Sequence, residues 1–516
     1  MPADNTSNKW LVLFLVVIGT AMSALDSSIV NIAVAKFMTV FGASLDDVKW
    51  ILTAYTLTLG AIVPLTGFLL DSFGNKRIFM FSLITFTAGS LLCGLAWSNS
   101  SMILFRIIQA IGGGLIMPVG MTMIIQAFPP NERGTALGFW GVASMAAPAI
   151  GPTLGGYIIQ YLDWRLIFYL NIPLGIMGVI MAGIVLENVP GKLSAGFDYF
   201  GWAASTVGIV SILYVLGQSS LDWGAVHNPL LITLGCFSLL LFVFNELYHS
   251  NPLIELRVLK SYDYSISQII QVVLIFAFMG GMYIMPLFLQ SLRGFTAMQT
   301  GMIMLPQALA SGLMMPISGK LYDKIGLKLV SVSGLCIFIA SSVALALINL
   351  DTAMSSIILI LTIRGFGLGL VMMPITTAGM NAVPLELAGR ATALNNLIRQ
   401  IAAALSVTIM TSMIQGRLNL NYERLSEQIT PFNPTASGII GQMQAMLIQN
   451  GYAAGEAKAA AISYIGGVVQ KQAYVDAMDY VLAAAALVAL LAIVLIIFMR
   501  SKTSDQTPTA QPAPTD

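Results

Sequence analysis

Asp26 and Arg106 carry charge inside long runs of apolar sequence, where a charge is costly and a functional role is the default reading. Asp26 lies roughly 24 Å along its run, counted at about 1.5 Å per helical residue. A carboxyl group held there can take up and release a proton. Arg106 sits about five residues into a later run and shares the same half of the membrane, which makes it the natural partner. The alternatives are a carboxylate locked into a structural pair and an arginine that snorkels outward or bonds only backbone carbonyls. Asn31, five residues after Asp26, falls on another helix face and is expected to bond a neighbouring helix. Asn395 and Arg399 are four apart, as are Asn396 and Gln400, so one helix presents two polar faces suited to water or substrate. Tyr55, Gln109, Trp140, Tyr283 and Gln307 are further candidates for a substrate cavity, scattered among 29 methionines and 25 phenylalanines. Methionine-rich surfaces repack around varied ligands, although core or lipid-facing positions are the plainer role for aromatics.

These residues need membrane helices to hold them. The 516 residues are 57% hydrophobic and only 9% charged, against roughly 25% charged in a soluble domain. Apolar runs of about 20 residues recur along the chain, the length that crosses a hydrocarbon core of roughly 30 Å. The runs are continuous rather than alternating, so helices are expected and a barrel is not. The expected fold class is an all-α membrane protein with fourteen transmembrane helices. The first run, about residues 10–36, is too long for a signal-peptide core and reads as a retained span. An even number of spans puts both termini on one side. Lysines and arginines, among them Lys9, Lys76, Arg77, Arg133, Lys320 and Arg390, collect on that side, which makes it cytoplasmic. A long loop at 416–477 falls on the other side and reads as short amphipathic helices lying on the outer face. The polar tail 501–516 reads as disordered.

Net charge is +1, which points to no nucleic-acid partner. The three cysteines lie in apolar runs and the two histidines lie apart, so neither a disulfide framework nor a metal site is expected. "IGGGLIMP" (111–118) is glycine-rich but lacks the following Lys-Ser/Thr of a phosphate loop. No catalytic residues are expected, and the chain is not read as an enzyme. It needs no cofactor, and its energy is expected from a gradient.

A repeat organises the spans. "PLTGFLLDSFG" (64–74) and "PISGKLYDKIG" (316–326) share the spacing P-x-x-G-x-x-x-D-x-x-G, and "RGTALG" (133–138) is echoed by "GRATALN" (389–395). Arg364 occupies the repeat position of Arg106. Six spans (10–186) are thus repeated in parallel as six more (264–500), with two additional spans (198–248) between them. Parallel six-span repeats build transporters whose two bundles rock about a central site. One span is weakened: "APAIGPTLGGYI" (147–158) packs two prolines and three glycines into nine residues. At helical spacing Ala147, Gly151 and Gly155 form a seam for close approach, while Pro148, Pro152 and Gly156 lie on an adjacent face and bend the helix. The alternative is a packing kink with no part in transport.

The chain resembles the fourteen-span drug:proton antiporters of the major facilitator superfamily, the EmrB/QacA type, over nearly all of residues 10–500. "LDSSIVNIA" (25–33), "GFLLDSFGNKR" (67–77), "ILFRIIQAIGGG" (103–114), "GVASMAAPAIGPTLGG" (141–156) and "DWRLIFYLNIPLG" (163–175) carry the resemblance, in family order. It implies the major facilitator fold and proton coupling through Asp26 and Arg106. It also implies an antiporter role for Pro148, Gly151, Pro152, Gly155 and Gly156, and an inner gate at Gly67, Asp71, Gly74 and Arg77. Asp71 is expected to cap a helix N-terminus or to pair with an arginine such as Arg133. Asp323 is its copy, in a motif that departs further from the family pattern. The function implied is proton-coupled efflux of amphipathic drugs across a bacterial plasma membrane, by a monomer whose partners are protons, small amphipathic substrates and lipids. A dedicated exporter of one metabolite or lipid, or a transport-dead sensor, are the alternatives. Relatives that export dications resemble this chain but carry extra acids in late spans. Span 13 has none here, which leaves neutral, monocationic or amphiphilic compounds.

Overall fold

The computed structural model describes residues 5–188, 191, 196–218, 226–249, 251–427, 429 and 433–500. Among these there are fourteen helices long and apolar enough to cross a membrane, and no strand. Spans 1 to 6 are Asn8–Ile32, Leu45–Phe73, Asn75–Gly94, Asn99–Ala127, Arg133–Tyr161 and Leu166–Val185. Spans 7 and 8 are Tyr199–Leu216 and His227–Tyr248. Spans 9 to 14 are Tyr262–Leu292, Met298–Ile325, Leu327–Leu345, Met354–Asn381, Leu385–Ser426 and Ala454–Phe498. The tail 501–516 lies outside the described residues.

Local sequence sets where these helices start and stop. Ser44 with Asp47, Ser98 with Ser101 and Thr296 with Gln299 form reciprocal capping boxes that open spans 2, 4 and 10. Gly74 and Gly326, which close the two copies of the repeated motif, adopt φ of 82° and 84°. A side chain is strained at such φ, so glycine there lets the next span begin at once.

Spans 1 to 6 pack on one another, spans 9 to 14 do likewise, and the groups meet where span 5 lies against spans 10 and 12 and where span 13 lies against spans 2 and 4. Spans 7 and 8 pair with each other and reach the rest mainly through span 2. The core runs through both groups, from Phe79, Phe86 and Ile116 to Phe338, Val371 and Leu394, all buried.

Two expectations are corrected. The first apolar run breaks at Ala33, so its helix ends at Ile32 and a short helix, Val34–Phe41, follows. The 416–477 stretch is not a set of short helices lying flat. The helix of span 13 runs unbroken for 39 residues, Ala388–Ser426, and that of span 14 for 45, Ala454–Phe498. Only Pro434–Gln449 stands as a separate helix. The extensions "GRLNLNYERLS" (416–426) and "AGEAKAAAISYIGGVVQKQAYVDA" (454–477) contain no proline and carry good helix formers, Leu and Arg in the first and Ala, Lys and Gln in the second, so nothing stops the helix where the apolar run ends.

Candidate functional site

Asp26 and Arg106 meet. Arg106 Nη1 donates to Asp26 Oδ2 at 2.6 Å, with both side chains 1% exposed or less. The other carboxylate oxygen, Oδ1, accepts from Gln109 Nε2 at 2.8 Å and from Asn171 Nδ2 at 2.9 Å. Both amides also donate to Ser90 Oγ, at 2.7 and 3.2 Å. Arg106 donates a second bond to Gln109 Oε1 at 2.6 Å, and its guanidinium lies 3.9 Å from the ring centre of Tyr55. Four spans of the first bundle thus converge on one carboxylate, from spans 1, 3, 4 and 6. A buried ion pair needs such partners; both carboxylate oxygens have them, while Arg106 Nε has no hydrogen-bond partner among the described residues.

Gln109 and Tyr55 therefore belong to the ion-pair cluster, and Gln109 lines neither of the two cavities described below. Tyr55 also lines a small cavity of about 90 Å3, together with Ser23, Ser27, Met117 and, from span 13, Asn396 and Gln400. Arg364, at the repeat position, has no acidic partner among the described residues: it donates to Ala277 O at 3.0 Å and to Ser342 Oγ at 3.1 Å, with its guanidinium on the Phe338 ring. The second bundle keeps the arginine and replaces the carboxylate with carbonyls.

A larger cavity of about 420 Å3 lies between the two groups, lined by Ser28, Pro148 and Pro152 on one side and by Phe278, Met304 and Gln307 on the other. Its residues on span 1 come from that helix's last two turns, so it occupies the half of the bundle away from the termini. No residue of spans 7 and 8 lines it or the smaller cavity.

Span 5 has two faces. A Cβ on Gly151 would come within 2.5 Å of Ser28 Oγ, and one on Gly155 within 2.9 Å of Ile29 Cγ1, so this seam holds span 1. Pro152 and Gly156 turn the other way, to Gly301 and Met298 of span 10. Pro152 has no N–H for the carbonyl of Pro148, four residues earlier. Ser28 of span 1 supplies the missing bond, its hydroxyl donating to Pro148 O at 2.5 Å.

At the terminus-bearing end, Asp71 pairs not with Arg133 but with Arg390 of span 13, at 2.9 Å. Arg390 also reaches Glu255, in the segment after span 8, at 3.6 Å. Arg133 is used elsewhere, bonding Phe128 O at 3.0 Å and Asn381 Oδ1 at 2.8 Å. Asp323 accepts from Thr135 N and Thr135 Oγ1, at 3.2 and 3.1 Å, which caps the first turn of span 5. Both aspartates thus cross between the repeats: Asp71 to the start of span 13, Asp323 to the start of span 5. Gly67 makes room for this, since a Cβ there would meet Arg390 Cγ at 2.9 Å. Gly74 turns the chain, and Arg77 is exposed.

The remaining candidates scatter. Trp140 is fully buried and donates to Thr20 Oγ1 at 3.0 Å, so it cements spans 1 and 5, and it lines neither of the two cavities described above. Asn31 is exposed, with no side-chain hydrogen bond to a neighbouring helix among the described residues. Tyr283 is half-buried outside the cavity wall. Asn395 donates to Gln268 and Gln271 of span 9, both at 3.1 Å, and Arg399 one turn on is half-buried with no acidic partner among the described residues. Gln307 lines the large cavity. Asn171, Ser90, Ser28 and Arg390 were not singled out by sequence. The signal for Asn171 was there, a lone amide inside "DWRLIFYLNIPLG".

A family model, the Major Facilitator Superfamily, matches residues 16–407. The chain is 35% identical over 434 residues to an uncharacterised MFS-type transporter, YhcA, of Bacillus subtilis, covering 83% of this chain and 81% of that protein. It is 28% identical over 436 residues to the multidrug export protein EmrB of Escherichia coli, covering 83% and 85%. Among solved structures, the human organic anion transporter MFSD10 superposes with a TM-score of 0.60 at 11% identity, over 95% of this chain and 99% of that one, a likeness of fold.

Proposed function

The chain belongs to the major facilitator superfamily, whose members are transporters and not enzymes, and from that premise we propose that it exports small amphipathic compounds in exchange for protons. One observation carries the proposal. The buried Asp26–Arg106 pair lies two residues from Ser28, which bonds the bent span 5 and lines the large cavity. The proton site and the cavity wall share one helix turn. Multidrug export relatives such as EmrB support the substrate class.

In this reading a proton arriving on Asp26 removes the counter-charge of Arg106. The guanidinium keeps Gln109 Oε1 and the Tyr55 ring, but a buried cation without its carboxylate is strongly disfavoured. Spans 1 and 4 readjust, and Ser28 and the Gly151–Gly155 seam carry the change to span 5. Span 5 also packs on span 10, so the two bundles move against each other, and the Asp71–Arg390 and Asp323–Thr135 contacts release. The proton gradient supplies the energy and no cofactor takes part. The protein works as a monomer in a bacterial plasma membrane with both termini cytoplasmic. Its partners are protons, lipids and substrates, with no nucleic acid.

Reconstituted into liposomes under an imposed pH gradient, the protein should extrude members of a panel of neutral, anionic and cationic dyes. Asp26→Asn should still bind them and fail to move them uphill. Equal uphill export by Asp26→Asn would place the proton elsewhere and overturn the reading.

A further inference from the structure

The small cavity beside the ion pair takes no part in the export cycle described above. Its polar wall is made by Ser23, Ser27, Tyr55, Asn396 and Gln400, with Gly113 among the apolar remainder. It adjoins the pair on both helices that carry the pair. Asp26 falls between Ser23 and Ser27, and Gly113 stands two turns beyond Arg106 on the same face of span 4. Tyr55 stands between cavity and pair. Its ring lies on the Arg106 guanidinium at 3.9 Å, and its side chain, 3% exposed, carries a hydroxyl with no hydrogen-bond partner among the described residues. Glycine at 113 leaves that hydroxyl its room, since a Cβ there would come within 2.8 Å of it.

A polar cavity of about 90 Å3 has room for a few water molecules, and water there satisfies the orphan hydroxyl. The large cavity shares none of its lining residues. Span 1 turns Ser23 and Ser27 to the small cavity and Ser28 and Ile32 to the large one, two pairs of faces roughly 100° apart. The titratable groups that face Asp26 are Arg106, Tyr55 and Cys93, the last donating to Gln109 Oε1 at 3.7 Å. Span 6 brings the amide of Asn171, and span 5 has no titratable residue from Gly134 to Gly156. Guanidinium, phenol and thiol are all far weaker acids than a carboxyl group, so the proton that Asp26 takes up comes from water.

We infer that the small cavity is a water-filled port through which the Asp26–Arg106 pair exchanges its proton, separate from the large cavity, and that Tyr55 positions the last water of that port. The inference rests on the export reading above. A hydronium ion in the port passes one proton to Asp26 Oδ2 as Arg106 lets go of that oxygen. The carboxylate becomes a carboxyl group and the hydronium becomes water. Proton and exported molecule then use different faces of span 1, and neither has to displace the other. Asn396 and Gln400 are the second bundle's whole share of the port wall, so movement of span 13 against spans 2 and 4 opens or closes it.

The test uses the full chain in liposomes and needs no exported compound. Proton uptake after a stopped-flow acid jump is followed with the pH dye pyranine, and the part missing in Asp26→Asn belongs to Asp26. Tyr55→Phe keeps the ring on Arg106 and removes only the hydroxyl. It should unfold at the same temperature as the unmodified protein and take up the same number of protons with the same midpoint pH. The rate should fall about tenfold, the worth of one hydrogen bond to the last water. Gln400→Leu, which makes the port wall less polar, should slow uptake severalfold. Ala308→Trp puts an indole into the large cavity and should leave the rate of uptake as it is, although it plugs the path of the exported molecule. Uptake at the original rate in Tyr55→Phe, or uptake slowed as much by Ala308→Trp as by Tyr55→Phe, overturns the inference while leaving Asp26 as the proton site. Absence of any Asp26-dependent uptake defeats the export reading as well.

Discussion

Ser28 donates its hydroxyl proton to the carbonyl oxygen of Pro148 at 2.5 Å, filling the place that the N–H of Pro152 cannot fill. The bend in span 5 and the turn of span 1 that carries Asp26 are thereby fixed to each other. Ser28→Ala leaves that carbonyl without its donor, which costs about 1–3 kcal/mol. Ser28→Thr, which keeps the hydroxyl, should recover most of it. Thermal unfolding of the three proteins reads the stability, and proton movement per molecule exported reads the coupling. An alanine variant with unchanged coupling would reduce this bond to a packing detail.

Removing one member of the Asp26–Arg106 pair should be worse than removing both. Asp26→Leu strands a buried guanidinium and should cost about 3–5 kcal/mol. The double variant Asp26→Leu, Arg106→Met should be more stable than Asp26→Leu alone. A thermodynamic cycle built from unfolding measurements gives the coupling directly. Additive losses would mean that the pair is not the unit the geometry describes.

Gly151→Leu and Gly155→Leu press a side chain into Ser28 and Ile29. Overpacking of this kind costs about 1–3 kcal/mol, which a chain of this size survives. Transport should suffer more than folding, because the seam between spans 1 and 5 can no longer slide. Counterflow exchange, membrane insertion and thermal stability should be measured on the same preparation. Normal exchange in either variant would show that the seam only packs.

At the terminus-bearing end, Arg390 has two carboxylates within reach and Asp71 has one arginine. Arg390→Gln should therefore loosen this inter-bundle contact more than Asp71→Asn does, since it cuts both ion pairs. Hydrogen exchange at Thr66–Phe73 and at the start of span 13 should rise about fivefold in the arginine variant, the equivalent of about 1 kcal/mol for a partly exposed ion pair. The rise should be smaller in Asp71→Asn. The opposite order would remove Glu255 from this contact.

How legible these features were depended on whether they are local. The fourteen spans follow from apolar length, and Asp26 and Arg106 stand out because charges rarely enter such runs. Gly74 and Gly326 were visible through their repeat, and both turned out to hold positive φ. Partner choice was not legible. Arg133 and Arg390 occupy equivalent repeat positions, and only the assembled bundles decide which one Asp71 meets. Asn171 and Ser90 are ordinary polar residues until four helices converge on Asp26. Gln109 looked like a cavity residue because an amide in a span is suited equally to ligand and to carboxylate. In the 416–477 stretch hydropathy falls while helix continues, because helix propensity does not follow hydropathy.

That last feature turns spans 13 and 14 into a mast. A bilayer crossing uses about 20 residues, so the helices of 39 and 45 residues exceed it by roughly 28 and 38 Å. Arg417 stacked on the Tyr480 ring at 3.7 Å ties the span 13 helix to the span 14 helix near the base of the stems. A stem continuous with its span cannot keep still while the span tilts. A tilt of about 10° at the base sweeps the tip through about 5 Å, the length of one helical turn. The mast works as a pointer: its tip, outside the hydrocarbon, indicates how the second bundle leans within it.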